Sequence, residues 1–158
     1  MVDMLVRLYA LPDPHAAVAR AAKRGVVIRR PESWERAALL DFVESFTPAW
    51  ANECEIAFAS RPATCFVAVR AATLVGFACH DCTRRNFFGP AGVRESERGR
   101  GLGAALTLAA LGAMRDAGYA YAIIGGVGPA AFYAKVAGAR RIAGSTPGIY
   151  DLRLAGGR

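Results

Sequence analysis

Between Val93 and Gly103 the chain reads V-R-E-S-E-R-G-R-G-L-G, with Gly99, Gly101 and Gly103 at alternate positions just before a long apolar run. Glycines at that density let a turn bring several backbone N–H groups toward one point. A helix starting there adds orphan donors and the positive end of its dipole. The natural ligand for such donors is an anion, and Arg98 and Arg100 place positive charge beside it. The stretch from Arg98 through Gly99, Arg100, Gly101, Leu102 and Gly103 to Ala104 thus reads as a pyrophosphate cradle. Two better-known cradles do not fit. Gly99, Gly101 and Gly103 give G-x-G-x-G rather than the G-x-G-x-x-G of dinucleotide folds, and no acidic residue closes a following strand about twenty residues on. No G-K-S/T follows, which excludes a nucleotide-binding P-loop.

Other residues with chemical potential are fewer. Cys54, Cys65, Cys79 and Cys82 are the only cysteines. Cys79 and Cys82 form C-H-D-C, but no second C-x-x-C completes a four-ligand zinc set. Residues three apart on a strand also point to opposite faces. The cysteines are read as small buried hydrophobes, and no metal is expected. No Cys/His/Asn arrangement supports thiol catalysis by Cys79. His80, Asp81, Glu53 and Glu55 are the acids and bases near the middle of the chain. Trp34 and Trp50 read as helix packing, with Trp50 also a candidate wall for a small-molecule pocket.

Bulk properties set limits on the function. The chain has 158 residues, 54% hydrophobic and 21% charged, which suits one globular domain with a true core. Residues 1–25 are expected as an N-terminal extension packed on that domain. The net charge is +7, carried by 18 arginines and 2 lysines. The basic residues are scattered, with only short pairs such as Arg29-Arg30 and Arg84-Arg85, so a nucleic-acid arm is not expected. An acidic small ligand uses the same sign of field. No apolar run is long enough to span a bilayer and no secretory leader is evident, so no membrane role and a cytoplasmic location are expected.

The elements that must position these residues follow from periodicity and punctuation. Strands are expected at Met4–Leu11, Val26–Arg30, Thr64–Arg70, Thr73–Asp81, Phe87–Arg94, Tyr119–Ile124, Ala139–Ile142 and Ile149–Leu154. Helices are expected over Pro14–Lys23, from a Ser33 cap to Phe46, from Thr47-Pro48 to Ala59, over Leu102–Ala117, and from Gly128-Pro129 to Gly138. Gly89-Pro90 interrupts its strand and predicts a bulge. The order implies an α+β fold around a central mixed sheet.

The run from Arg98 to Gly103 satisfies Q/R-x-x-G-x-G/A, the acyl-CoA loop of the GNAT N-acetyltransferases, at each fixed position. Ala130 to Ala139, A-A-F-Y-A-K-V-A-G-A, resembles that family's second signature in the expected order and spacing. The resemblance spans about Pro31 to Leu154. It implies a GNAT fold, with a mostly antiparallel sheet flanked by helices and a bulged fourth strand that splays from the fifth. It implies acetyl-CoA as co-substrate, with Val93 and Arg94 pairing through their backbones with pantetheine. The N–H groups from Arg98 to Ala104 would hold the pyrophosphate. Tyr133 would be the general acid that protonates the departing thiolate.

The sequence departs from the family in three places. Gly128-Pro129 stands where relatives carry Asn, Gly138-Ala139 replaces Gly-Phe, and Asn86–Ala91 contains no carboxylate to act as base. The base is unassigned, with Asp81, His80 and Glu53 (or Glu55) as candidates. The expected activity is direct transfer of acetyl from acetyl-CoA to a primary amine, on a small molecule or peptide, in a ternary complex. The alternative is a non-catalytic acyl-CoA-binding module. A homodimer is left open.

Overall fold

The computed structural model describes residues 1–152. Seven strands form one sheet: β1 (Met4–Arg7), β2 (Val27–Arg29), β3 (Cys65–Arg70), β4 (Thr73–His80), β5 (Phe87–Val93), β6 (Tyr121–Ile124) and β7 (Arg140–Arg141). Their spatial order is β2-β3-β4-β5-β6-β1-β7. Every neighbouring pair is antiparallel except β5 with β6. The five α-helices are α1 (Pro14–Ala22), α2 (Arg36–Glu44), α3 (Pro48–Ala59), α4 (Leu102–Asp116) and α5 (Ala130–Ala137). Among the described residues no helix is long and apolar enough to cross a membrane.

Alternation along β4, broken once by a bulge at Val75, splits the interior into two cores. Ala78, and Val75 by virtue of that bulge, point to one face, where α1 and α4 pack. Phe77 and Cys79 point to the other, under α2 and α3. Nine of the fifteen residues of α4 are buried, so it is a core helix rather than an amphipathic surface one. Burial of Leu106 or Leu111 stabilises the domain by about 1.5–3 kcal/mol each. α1 lies so close to α4 that a Cβ on Gly112 would sit 2.7 Å from Pro14.

The β3–β4 hairpin turns at Ala71 and Ala72, both with positive φ (45° and 61°), the geometry of a primed two-residue turn. On β5, Phe88 faces His80 and Ala91 faces Ala78. Two residues, Gly89 and Pro90, thus oppose the single residue Cys79, which is the bulge the sequence predicts.

Three element assignments differ from the sequence reading. The first strand stops at Arg7 and continues as a 3-10 turn, Leu8–Ala10, ahead of Pro12, which has no N–H for a ladder. Residues 1–25 supply β1, an internal strand between β6 and β7, and α1. Ser33 is not a cap: Glu32 and Glu35 form a capping box around the turn Ser33–Glu35, and α2 starts after it. The last expected strand is a 3-10 helix, Gly148–Leu152, following Pro147 and the positive φ of Gly148 (65°). The remainder of that expected strand, 153–154, lies outside the described residues.

Candidate active site

The site follows from how β5 leaves β6. The two strands pair only at Phe87–Ile123 and Phe88–Ile124, and after the Gly89-Pro90 bulge they separate. Arg94 N–H donates to Val75 O at 2.9 Å, so the Gly76–Val93 pair is a non-hydrogen-bonded one. Val93, and by alternation Ala91, therefore turn their backbone groups away from β4 and into the gap. Arg94 does not. Its carbonyl accepts from Glu97 N–H at 2.9 Å, and its guanidinium donates to Leu74 O and lies over Phe42. Ala91, rather than Arg94, thus presents its backbone groups to the gap beside Val93.

One cleft of about 600 Å³ runs along this edge to the glycine loop. Gly101 caps α4 with φ +81°, and its carbonyl accepts the first helical hydrogen bond, from Ala105 N–H at 3.0 Å. The N–H groups of Leu102, Gly103 and Ala104 precede that bond and are the orphan donors of the helix start. A Cβ on Gly101 would meet nothing within 4 Å, so glycine answers to the backbone angle, and the space in front of the loop is open. Leu102 offers only its backbone, since its side chain is buried.

The loop is braced from behind. Arg24 Nη1 donates to Arg100 O at 2.8 Å, and Arg70 Nη1 donates to Arg24 O at 2.7 Å. Arg70 and Arg100 flank the Glu97 carboxylate at 3.1 Å and 3.5 Å, which offsets a negative charge lining the cleft. Arg98 Nε donates to Val93 O at 3.2 Å and ties the loop to β5. Arg24 and Arg70 lie far from the loop in sequence, and no local pattern reveals them.

A second cleft, about 950 Å³, opens on the other side of the gap. It is walled by α3, the β4–β5 loop, the β6–α5 loop and residues 146–151. Both clefts share Trp50, Ala91, Pro129 and Tyr133. Tyr133 packs edge-to-face against Phe88 and Phe132, and its hydroxyl makes no hydrogen bond among the described residues. Burial pushes the phenol above its usual pKa, so it is protonated at neutral pH.

The candidate bases separate. Glu53 lines the second cleft and accepts from Thr83 Oγ1 at 2.6 Å. Glu55 is exposed and ion-paired with Arg36. His80 and Asp81 hold each other (Nδ1–Oδ2 2.9 Å), and Asp81 also accepts from Asn86 N–H at 2.7 Å; neither lines a cleft. Burial lowers the pKa of His80, leaving the ring neutral at pH 7. Trp34 is 80% exposed, whereas Trp50 stacks on Phe46 between the clefts. Sequence reading missed Asp3, a buried acid whose Oδ1 accepts from Gly126 N–H at 2.8 Å and fixes the rim of the second cleft.

The acetyltransferase (GNAT) family model matches residues 31–139, more than half of the chain. The chain belongs to the GNAT family. Acyl transfer is therefore the general activity of this domain, and the open β5–β6 pair is the feature of the fold that the glycine loop and Tyr133 surround. Two solved structures share the fold. One is a GCN5-related glucosamine N-acetyltransferase region of a fungal multi-domain GH3 β-N-acetylglucosaminidase (TM-score 0.71, 16% identity). The other is a GCN5-related N-acetyltransferase from Sphaerobacter thermophilus (TM-score 0.66, 19% identity). Each match covers 89% of this chain, but only 19% of the first protein and 48% of the second. No curated protein matches the sequence.

Proposed function

We propose that this GNAT domain transfers acetyl from acetyl-CoA to a primary amine of a small molecule or peptide by direct attack in a ternary complex. The observation that carries the reading is Tyr133 at the junction of two clefts that meet through the split sheet. One cleft has the features of an acyl-CoA channel: an exposed strand edge at Ala91 and Val93 for an amide-bearing arm, and a helix start for phosphate. The co-substrate supplies the thioester; the protein orients it and manages protons. Val93 and Ala91 would hold the arm by strand-like pairing, and the N–H groups near Gly101–Ala104 would hold the pyrophosphate. The second cleft takes the amine.

Glu53 is the acid-base group best placed for the amine. It is the one candidate that lines the second cleft, and it removes a proton from the ammonium directly or through water. When the amine nitrogen bonds to the acyl carbon and the C–S bond breaks, Tyr133 donates its proton to the departing sulfur. The phenol is in its protonated form at neutral pH, and its hydroxyl makes no hydrogen bond among the described residues.

The test is thiol release from acetyl-CoA across a panel of amines, with wild type and Tyr133→Phe side by side. The variant should lose about 10²-fold or more in kcat while its acetyl-CoA affinity is unchanged. If no amine drives thiol release in a wild-type protein that binds acetyl-CoA by calorimetry, the domain binds acyl-CoA without catalysis and the proposal fails.

A further inference from the structure

All four cysteines of the chain converge in the core beneath α2 and α3. Cys54 comes from α3, Cys65 from β3, Cys79 from β4, and Cys82 follows β4. The sulfurs of Cys54, Cys65 and Cys79 lie within 4.8 Å of one another, and all three residues have 0% exposure. Nothing in the acyl-transfer reading uses them.

The strand register holds two of the sulfurs together. Cys65 and Cys79 are direct partners across β3 and β4. His80 N–H donates to Thr64 O at 2.8 Å, so theirs is a non-hydrogen-bonded pair, the kind in which Cα atoms approach to about 4.5 Å and side chains lie nearest. α3 lays Cys54 over the pair. The Cys65 thiol donates to its own strand, to Phe66 O at 3.7 Å. The fourth sulfur is turned aside: Cys82 donates to Gly89 O at 3.2 Å and is 9% exposed.

We propose that Cys54, Cys65 and Cys79 form a closed three-sulfur site for monovalent copper. A triangle of sulfurs with no nitrogen or oxygen ligand among them selects a soft cation. With metal–sulfur bonds of about 2.3 Å, a planar three-coordinate ion needs sulfurs about 4 Å apart. The observed triangle reaches this by contracting less than 1 Å. Zinc in a structural site takes four ligands, and here the fourth sulfur is engaged elsewhere. On binding, each thiol that becomes a thiolate ligand gives its proton to solvent; no electron is transferred. Cys82, the one cysteine with any exposed surface, bonds to Gly89, which lines the second cleft, so the side of the cluster nearest solvent is the one beside that cleft. Cys54 is next in sequence to Glu53, so the bound ion would pin the helix that carries the proposed base.

The test uses the reduced full-length protein under anaerobic conditions, titrated with copper(I) held by bathocuproine disulfonate. One equivalent should transfer to the protein, and X-ray absorption should show sulfur-only coordination with three neighbours. Cys54→Ala, Cys65→Ala and Cys79→Ala should each lower retained copper at least tenfold. Cys82→Ser should retain the full equivalent. Near-ultraviolet circular dichroism reports whether each variant keeps its core. Because the coordination number is read on the wild type, a variant that misfolds does not decide the outcome. No transfer against the chelator, copper retained in folded single-alanine variants, or stoichiometric zinc in place of copper would each overturn the site. The assay needs no acetyl-CoA and no amine, so its result is independent of the catalytic proposal.

Discussion

The two clefts that meet at Tyr133 are built from different material. The 600 Å³ cleft takes its glycine-rich end from one stretch, Ala91 to Ala104, and is closed by Phe46, Trp50, Phe77 and the first turn of α5. The 950 Å³ cleft is assembled from α3, two loops and the segment near Tyr150, pieces distant from one another in sequence. A ligand held by backbone donors imposes conformational demands, and only certain residue types meet them. A ligand held by side chains imposes demands on residues distant in sequence, with no fixed spacing. The first kind of site leaves a local signature; the second does not.

The sharpest way to break the comparison is at Gly101. With φ +81° and open space before its Cβ position, valine is tolerable to the fold at a cost of about 1–3 kcal/mol of backbone strain. Its side chain would occupy the volume in front of the helix N-terminus. Gly101→Val should weaken acetyl-CoA about 10³-fold, the loss of two charge-assisted hydrogen bonds, with thermal unfolding still cooperative. Calorimetry on folded variant showing wild-type affinity would mean the loop does not hold phosphate.

This contrast accounts for what was legible in the sequence. The loop at 98–104, the bulge at Gly89-Pro90 and the buried helix α4 follow from glycine, proline and apolar runs, whose effects are local. The open edge of β5 is half legible: Val93 faces the gap, but Arg94 spends its N–H on Val75, since neighbours on a strand alternate in hydrogen-bond direction. Which strand occupies which place was hidden as well, because Met4–Arg7 enters the sheet between two strands from the far end of the chain. Among the base candidates, Glu53 is set apart from Asp81 and His80 only by the three-dimensional path of α3. In the sequence the cysteines stand as separate small hydrophobes, because pairing of Cys65 with Cys79 is a matter of register.

On the second cleft the corresponding probe is Glu53→Gln, which keeps the shape and the bond to Thr83 while removing the base. Amine turnover at neutral pH should fall about 10²-fold, with acetyl-CoA affinity unchanged. An effect on cofactor affinity instead would show that the two clefts are not separate in function.

A smaller effect is expected at Arg98, which is exposed and anchored to Val93 O. Arg98→Ala should weaken acetyl-CoA by about 1.5 kcal/mol, the low end for a charge-assisted bond. The loss should shrink in high salt, because exposed charges are screened within about 10 Å at 0.1 M. A salt-independent loss would mean that the side chain serves the loop's shape rather than the phosphate's charge.

The smallest effect tests whether the cleft assembled from distant elements is also the softer one. Arg29 on β2 grips Glu35 through two hydrogen bonds, Nη1–Oε2 at 2.8 Å and Nη2–Oε1 at 2.6 Å, and so anchors the start of α2 far from either cleft. The guanidinium bond holds the Glu35 carboxyl down at about 2, against 4.5 in the unfolded chain. A carboxyl whose folded pKa is depressed stabilises fully above the unfolded value and loses that contribution as pH falls toward the folded one. Both side chains keep surface in water, 34% and 28%, so solvent screening limits the pair to about 0.2–1 kcal/mol. Glu35→Gln should therefore lower stability slightly at pH 7, and the gap to wild type should close between pH 4.5 and about 2. Denaturant titration at several pH values measures it. The acetyl-CoA affinity should not move. If the KM for the amine rises in Glu35→Gln while the cofactor parameters stay fixed, slack at the start of α2 reaches Trp50 and Glu53 through the α2–α3 packing, and the cleft assembled from distant elements is the one that yields.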